Sequence, residues 1–247
     1  MNDSDTNDKV YIHEFIHITK QNRARYMHHM TANWSPIAQE QRNQLCYGVW
    51  GVVGSTGPWP QTVNMWEEDG FDGLASSFRL EFGNRLLQDP ALEKWWAAAA
   101  DLRSGGYDRI VVPHPQTRTI EQLCAAGAGG EVYAHELIKV EPGTAWHFLD
   151  AAMAGAETAS SRTGWNLVGA WATAMRNLDE CLLLWSIPTW EQWGAVERAQ
   201  IRGEDVLPAK AADLVRDRER VLLVDAPLSP FRTGRQPSRE DRTDWED

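Results

Sequence analysis

Cysteine is scarce in this chain of 247 residues: Cys46, Cys124 and Cys181 are the only three. An odd number with no CxxC pair excludes a disulfide framework and a thiolate zinc site, and makes reduced thiols in a cytoplasmic protein the expectation. Basic charge is also short. Lys and Arg number 24 against 35 Asp and Glu, a net charge of -11, which argues against nucleic acid or an anionic membrane surface as a partner. No apolar run reaches the roughly 20 residues of a membrane span, so no membrane insertion is expected. The opening residues 1–8 are acidic, where a secretory leader would be basic and then apolar. A phosphate-cradling glycine loop, a GxSxG elbow and coiled-coil heptads are all missing, which removes the function classes built on them.

What is present is tryptophan and repetition. Thirteen tryptophans are enough to furnish a flat apolar pocket as well as a core. Val10-Tyr-Ile-His-Glu-Phe-Ile16 returns as Val132-Tyr-Ala-His-Glu-Leu-Ile138, 122 residues later. Further landmarks follow at similar spacing: Tyr47 aligns with Trp165 and Gly51 with Gly169 at 118, and Trp66 with Trp185 at 119. A near-constant period of this length means two copies of one supersecondary unit.

Within each copy the periodicity gives the order of elements. Alternation over 10–16 predicts a strand and the apolar spacing of 20–34 a helix. In the second copy Trp146, Leu149, Met153 and Ala156 form the helical stripe. Two strands follow near 45–54 and 62–67, and near 165–171 and 180–186. A helical stretch comes next, broken by Pro90 or Pro208 because proline lacks the amide donor. Final strands are predicted at 109–112 and 220–224. This order is the ferredoxin-like unit, an antiparallel sheet with helices on one face. Its bare face needs cover, and the other copy supplies it. The expected fold is therefore α+β, two tandem ferredoxin-like βαββαβ units forming a pseudo-symmetric α/β-barrel with a cavity between the sheets. The expected organisation is an acidic extension over 1–8, a first unit over 9–115, a flexible linker over 116–130, a second unit over 131–226 and a tail over 227–247. Exposed sheet edges would make a homo-oligomer reasonable.

Three segments also resemble a known family. Tyr133-Ala-His-Glu-Leu-Ile-Lys-Val-Glu-Pro-Gly143 resembles the opening strand and helix start of NIPSNAP-type domains. Asn177-Leu-Asp-Glu-Cys-Leu-Leu-Leu-Trp185 is similar to their third strand, and Gln88-Asp-Pro-Ala-Leu-Glu-Lys-Trp95 to their second helix. The first copy has Lys20-Gln21 in place of Pro-Gly, and Glu136 stands where the family often has arginine. The resemblance implies the dimeric α/β-barrel superfamily, whose members include cofactor-free monooxygenases, isomerases and cyclases, and haem enzymes. It implies architecture and leaves the chemistry open.

The paired His13-Glu14 and His135-Glu136 are the sharpest candidates for catalysis. Neighbours on a strand point to opposite faces, so one member of each pair faces the cavity and the other the helices. With the histidines inward, His13 or His135 would be the base; with the glutamates inward, Glu14 or Glu136 would take that role. His17 shares the face of His13, and its counterpart is Lys139, so the two halves of the cavity would be chemically unequal. Tyr11, Tyr133, Lys139, Trp50, Trp171 and Trp165 are the candidate substrate contacts. No metal site is expected: His28 and His29 are adjacent on a helix and diverge. His147, three residues before Asp150, is the helix histidine that could hold haem iron. The function expected is cofactor-independent proton transfer of the isomerase, cyclase or monooxygenase kind. Its substrate would be a hydrophobic, aromatic or polycyclic small molecule held between the sheets. A haem enzyme and a non-catalytic scaffold or ligand binder are the alternatives.

Overall fold

The computed structural model describes residues 6–242. Eight strands form a mixed α/β fold around a closed antiparallel barrel: β1 (Val10–Ile18), β2 (Leu45–Val52), β3 (Gln61–Glu68), β4 (Arg103–Pro113), β5 (Val132–Val140), β6 (Asn166–Thr173), β7 (Glu180–Ile187) and β8 (Val215–Asp225). Around the barrel they run β1-β3-β2-β8-β5-β7-β6-β4. The helices are α1 (Arg23–His28), α2 (Ser35–Arg42), α3 (Gly70–Phe82), α4 (Glu93–Leu102), α5 (Ile120–Ala125), α6 (Ala145–Ala154), α7 (Ala156–Thr163), α8 (Trp190–Ile201), α9 (Ala209–Ala212) and α10 (Pro230–Thr233). A π-helical segment, His29–Trp34, joins α1 to α2.

The alternation read in the sequence separates two environments. Odd residues of β1 and β5 belong to the barrel interior, with Tyr11, Tyr133, Val63, Met65, Val111, Leu182, Leu184, Val221 and Leu223 in one buried cluster. Even residues face the helices. Ile16 and Ile18 pack with Tyr26, Met30 and Trp95 in one outer layer, while Ala134 and Ile138 pack with Phe148, Leu149 and Trp165 in the other. The interior is filled with aromatic rings where a cavity was expected. Tyr11, Tyr47 and Trp171 meet edge to face at 5.3–5.8 Å between centroids, and Trp50 lies against Tyr133 and Phe231.

Two glycines make this filling possible. A Cβ on Gly48 would lie 2.1 Å from the Trp50 ring, and one on Gly169 would lie 2.4 Å from the Trp171 ring. Each indole thus lies over the bare backbone two residues before it. The register corrects the expected alignment by three residues. Gly48 pairs with Met65 opposite His13, and Gly169 pairs with Leu184 opposite His135, so Gly48, and not Gly51, matches Gly169. The two strands carry the same irregularity at this place, a bulge between Cys46 and Gly48 and between Leu167 and Gly169, which supports the corrected match.

One end of the barrel is closed by the span between the two units and by part of the tail. The span 116–130, expected to be a flexible connection, contains α5, fastened by a capping box between Thr119 and Gln122 and buried through Ile120 and Leu123. From the tail, α10 inserts Phe231 against Tyr47, Trp50 and Tyr133, and Gln236 bonds the backbone of Cys46 at both N and O. Trp245 lies outside the described residues. Closure also removes the edge-strand argument for a homo-oligomer: β2 pairs with β8 and β4 with β6, so a second copy would have to use another surface. No helix among the described residues is long and apolar enough to cross a membrane.

Candidate functional site

His13 and His135 meet at the centre of the barrel, Nε2 to Nε2 at 2.8 Å, with ring planes 21° apart. Both are buried. Burial drives both imidazoles below their ordinary range. The His135 and Arg109 charges add to the effect on His13, and Arg109 adds to it on His135, which is lowered to about 3. Both rings are therefore neutral near pH 7, and the bond between them takes one Nε2–H and one bare Nε2. His13 Nδ1, on the far side of its ring, is buried and without a partner; in the tautomer where His13 donates across the pair, that nitrogen is a bare acceptor.

The open end lies on the other side of Phe15, whose ring is 5.2 Å from each imidazole. Arg109, paired with His13 across β1 and β4, sits 5.8 Å over that same ring. Its Nε donates to Glu180 Oε1 at 2.7 Å, with both side chains more than nine-tenths buried. Its Nη1 has no partner. A buried ring nitrogen and a buried guanidinium nitrogen are thus both left without a hydrogen-bond partner on residues paired across β1 and β4. Above them is a cleft of about 800 Å³ whose lining includes Arg109, Leu137, Lys139, Asn177 and Glu180.

The other expected site residues fall elsewhere. Lys139 is at the rim, exposed and paired with Asp217 at 3.2 Å. His17 is exposed at the equivalent rim position, with a weak 3.5 Å contact to Gln61. Tyr11 and Tyr133 are inward, but their hydroxyls donate to Glu67 (2.9 Å) and Asp225 (2.8 Å) near the closed end. Trp50 and Trp171 are packing residues of the interior. Trp165 packs under the helices and does not reach the space between the sheets, because the bulge in β6 reverses the facing inferred from simple alternation.

Glu14 and Glu136 are also under the helices, where they hold tryptophans. Glu14 Oε2 accepts from Trp66 Nε1 at 2.8 Å and from Asn64 at 2.9 Å, and Glu136 Oε2 accepts from Trp185 Nε1 at 2.8 Å. The repeated His-Glu motif is thus one residue for the interior and one for the outer layer. The halves differ in charge. Arg220 meets Glu136 at 2.7 Å, whereas its counterpart beside Glu14 is Asp108. Burial, with Asp108 adding to it, pushes Glu14 up to about 7. A carboxyl raised in the folded state contributes stability below its unfolded value, and that contribution is lost as pH climbs toward 7. Glu14→Gln, which keeps the acceptor, should therefore remove a loss of stability between pH 4.5 and about 7. Urea midpoints of the two proteins across that range are the check; parallel pH curves would show that Glu14 is ordinary.

No protein-family profile matches the chain, and no curated protein matches it in sequence. Solved structures do match. A candidate monooxygenase from Lactobacillus acidophilus NCFM superposes with a TM-score of 0.55 at 10% identity, over 94% of this chain and 97% of that one. An anthrone oxidase-like protein gives 0.61 at 10% identity over 89% and 92%, and a candidate chlorite dismutase gives 0.53 at 11% over 92% and 98%. The chain has the dimeric α/β-barrel fold.

Within that barrel the His13–His135 pair, bonded as it is, offers no free Nε2 to a haem iron. An axial imidazole offers one nitrogen to iron and has the other held by a partner. Here each Nε2 is spent on the other ring. His147 is exposed on α6, and Asp150 bonds the buried His114 instead, at 3.1 Å. Arg109 and Glu180 form a buried ion pair in the barrel that sequence reasoning did not single out. The signal available was a change between copies: Arg109 occupies the position of Val221, and Gln61 that of Glu180.

Proposed function

We propose that this chain is an enzyme of two tandem ferredoxin-like units, of NIPSNAP-like kinship, that moves a proton on a small organic acid without a cofactor. The observation that supports this reading is the pair of unsatisfied groups facing each other across β1 and β4, His13 Nδ1 and Arg109 Nη1. An acidic C–H or O–H next to an oxygen would fill both at once, giving its proton to the imidazole and its developing oxyanion to the guanidinium. The low proton affinity of the empty pair does not prevent this. An anion forming beside the imidazolium and Arg109 replaces a lone buried charge by a compensated one, which raises the histidine pKa as the proton arrives. His135 would hold the His13 ring and share its proton through the Nε2 bond. The substrate would enter by the cleft over Leu137 and displace Phe15, so an apolar, flat body suits the inner part and a polar edge the mouth.

Anthrone, a flat carbon acid, is a suitable first probe, and the anthrone oxidase-like neighbour is a reason to begin with it. Its oxidation by dioxygen gives anthraquinone and water, read by absorbance and by oxygen uptake. Acceleration over buffer, lost in His13→Gln, is the expected result. A second reading is favoured by the dense aromatic filling: the barrel is a scaffold that turns nothing over. A panel of flat carbon acids, none accelerated and none changing tryptophan fluorescence, would select it.

A further inference from the structure

We propose that the cleft between the π-helical segment and α4 binds a small organic anion with a flat aromatic body and one hydrogen-bond donor. Two adjoining clefts of about 710 and 510 Å³ meet there, sharing His29, Asn33, Ala98 and Arg242. Their charge is opposite to that of the chain. Lys20, Arg25, Lys94, Arg239 and Arg242 line them against the single acid Asp101, in a protein of net charge -11. Arg239 is spent on Glu40. Lys20, Arg25, Lys94 and Arg242 are exposed at the walls.

The floor is apolar and built. Ala32, Pro36, Ile37 and Leu92 line it together with Trp95, and His29 stacks on Trp95 at 5.0 Å and 15°. The stack is fixed from both ends of the imidazole, by Asn33 Nδ2 on Nδ1 at 3.0 Å and by the Trp95 carbonyl at 3.3 Å from Nε2. Those bonds leave two groups over. Trp95 Nε1–H is without a partner although the residue is 92% buried (8% exposed). Asn33 Oδ1, the other end of the amide that holds His29, is also without one. An anionic oxygen would accept from the indole N–H, and a ligand hydroxyl or amine would donate to Asn33, while the surrounding cations supply the charge. The π-helical turn places His29 and Asn33 at this position; such turns recur at functional sites.

The probe is 3-hydroxy-2-naphthoate, which carries the carboxylate, the donor and the flat body, and whose fluorescence reports binding. One equivalent should bind. Arg25→Gln/Lys94→Gln should weaken binding about tenfold, as two surface charges are removed. Trp95→Phe, which removes the N–H and keeps a smaller aromatic ring at the floor, should cost about tenfold as well. His13→Gln should leave the affinity as it is, which separates this cleft from the barrel interior. Absence of binding, equal affinity in the double variant, equal affinity for uncharged 2-naphthol, or loss of binding in His13→Gln would each overturn the proposal.

Discussion

Replacing His13 by glutamine is expected to lower turnover of an accepted carbon acid by about 100- to 10,000-fold, the range for loss of a positioned proton acceptor. His135→Gln should lower it too, because His13 then loses the partner that orients its ring and shares its proton. The acid side of the pH profile separates this pair from any other base. An exposed imidazole would lose activity as pH falls through about 6.5, whereas burial has taken His135 down to about 3 and His13 in the same direction. The dependence of kcat/KM on pH should therefore stay flat well below 6. A profile that falls with a midpoint near 6.5, or a His13→Gln protein with undiminished turnover, would remove the pair from the chemistry. Circular dichroism and melting of both variants show whether the fold is kept.

Trp171→Ala is expected to act on stability rather than on ligand affinity, with a loss of about 3–5 kcal/mol from the cavity left by a fully enclosed ring. Trp171 is wholly buried, in edge contact with Tyr11 and Tyr47, and lies over Gly169. Nothing near it can collapse into the space without breaking those contacts. Gly169→Ala should be costly for the reciprocal reason, since its methyl would occupy the position of the indole. Chemical denaturation measures both. An unchanged midpoint in Trp171→Ala would mean that the interior is looser than its packing indicates.

The strands were legible because alternation of Tyr11, His13 and Phe15 with Ile12, Glu14 and Ile16 has a physical cause, a sheet with one face inward and one under helices. The same alternation put the histidine and the glutamate of each pair on opposite faces, and the structure decides that the histidines are the inward ones. It failed at Trp165, where a bulge adds a residue that no period reveals, and the expected match of Gly51 with Gly169 gave way to the register, which pairs Gly48 and Gly169 with equivalent partners. The helix in 116–130 was hidden by the alanines and glycines that follow it, although Thr119 and Gln122 stand at capping-box spacing. Arg109 and Glu180 were missed for another reason. Comparing copies favours what both keep, and these two are positions where the copies part.

The barrel closes over two seams of only three residue pairs each, Trp50–Val52 with Leu223–Asp225 and Val111–Pro113 with Trp171–Thr173. Within each half, by contrast, β1 pairs with β3 and β5 with β7 along eight residues. The seam amides are the ones whose protection from deuterium should reflect partial opening, with the halves parting before either melts. A half released in this way would present its tyrosine and tryptophan face to water and would aggregate. Gene fission into two separate polypeptides would then be tolerated only if the pieces found each other during folding, and for this chain covalent linkage is what keeps the sticky faces at high effective concentration.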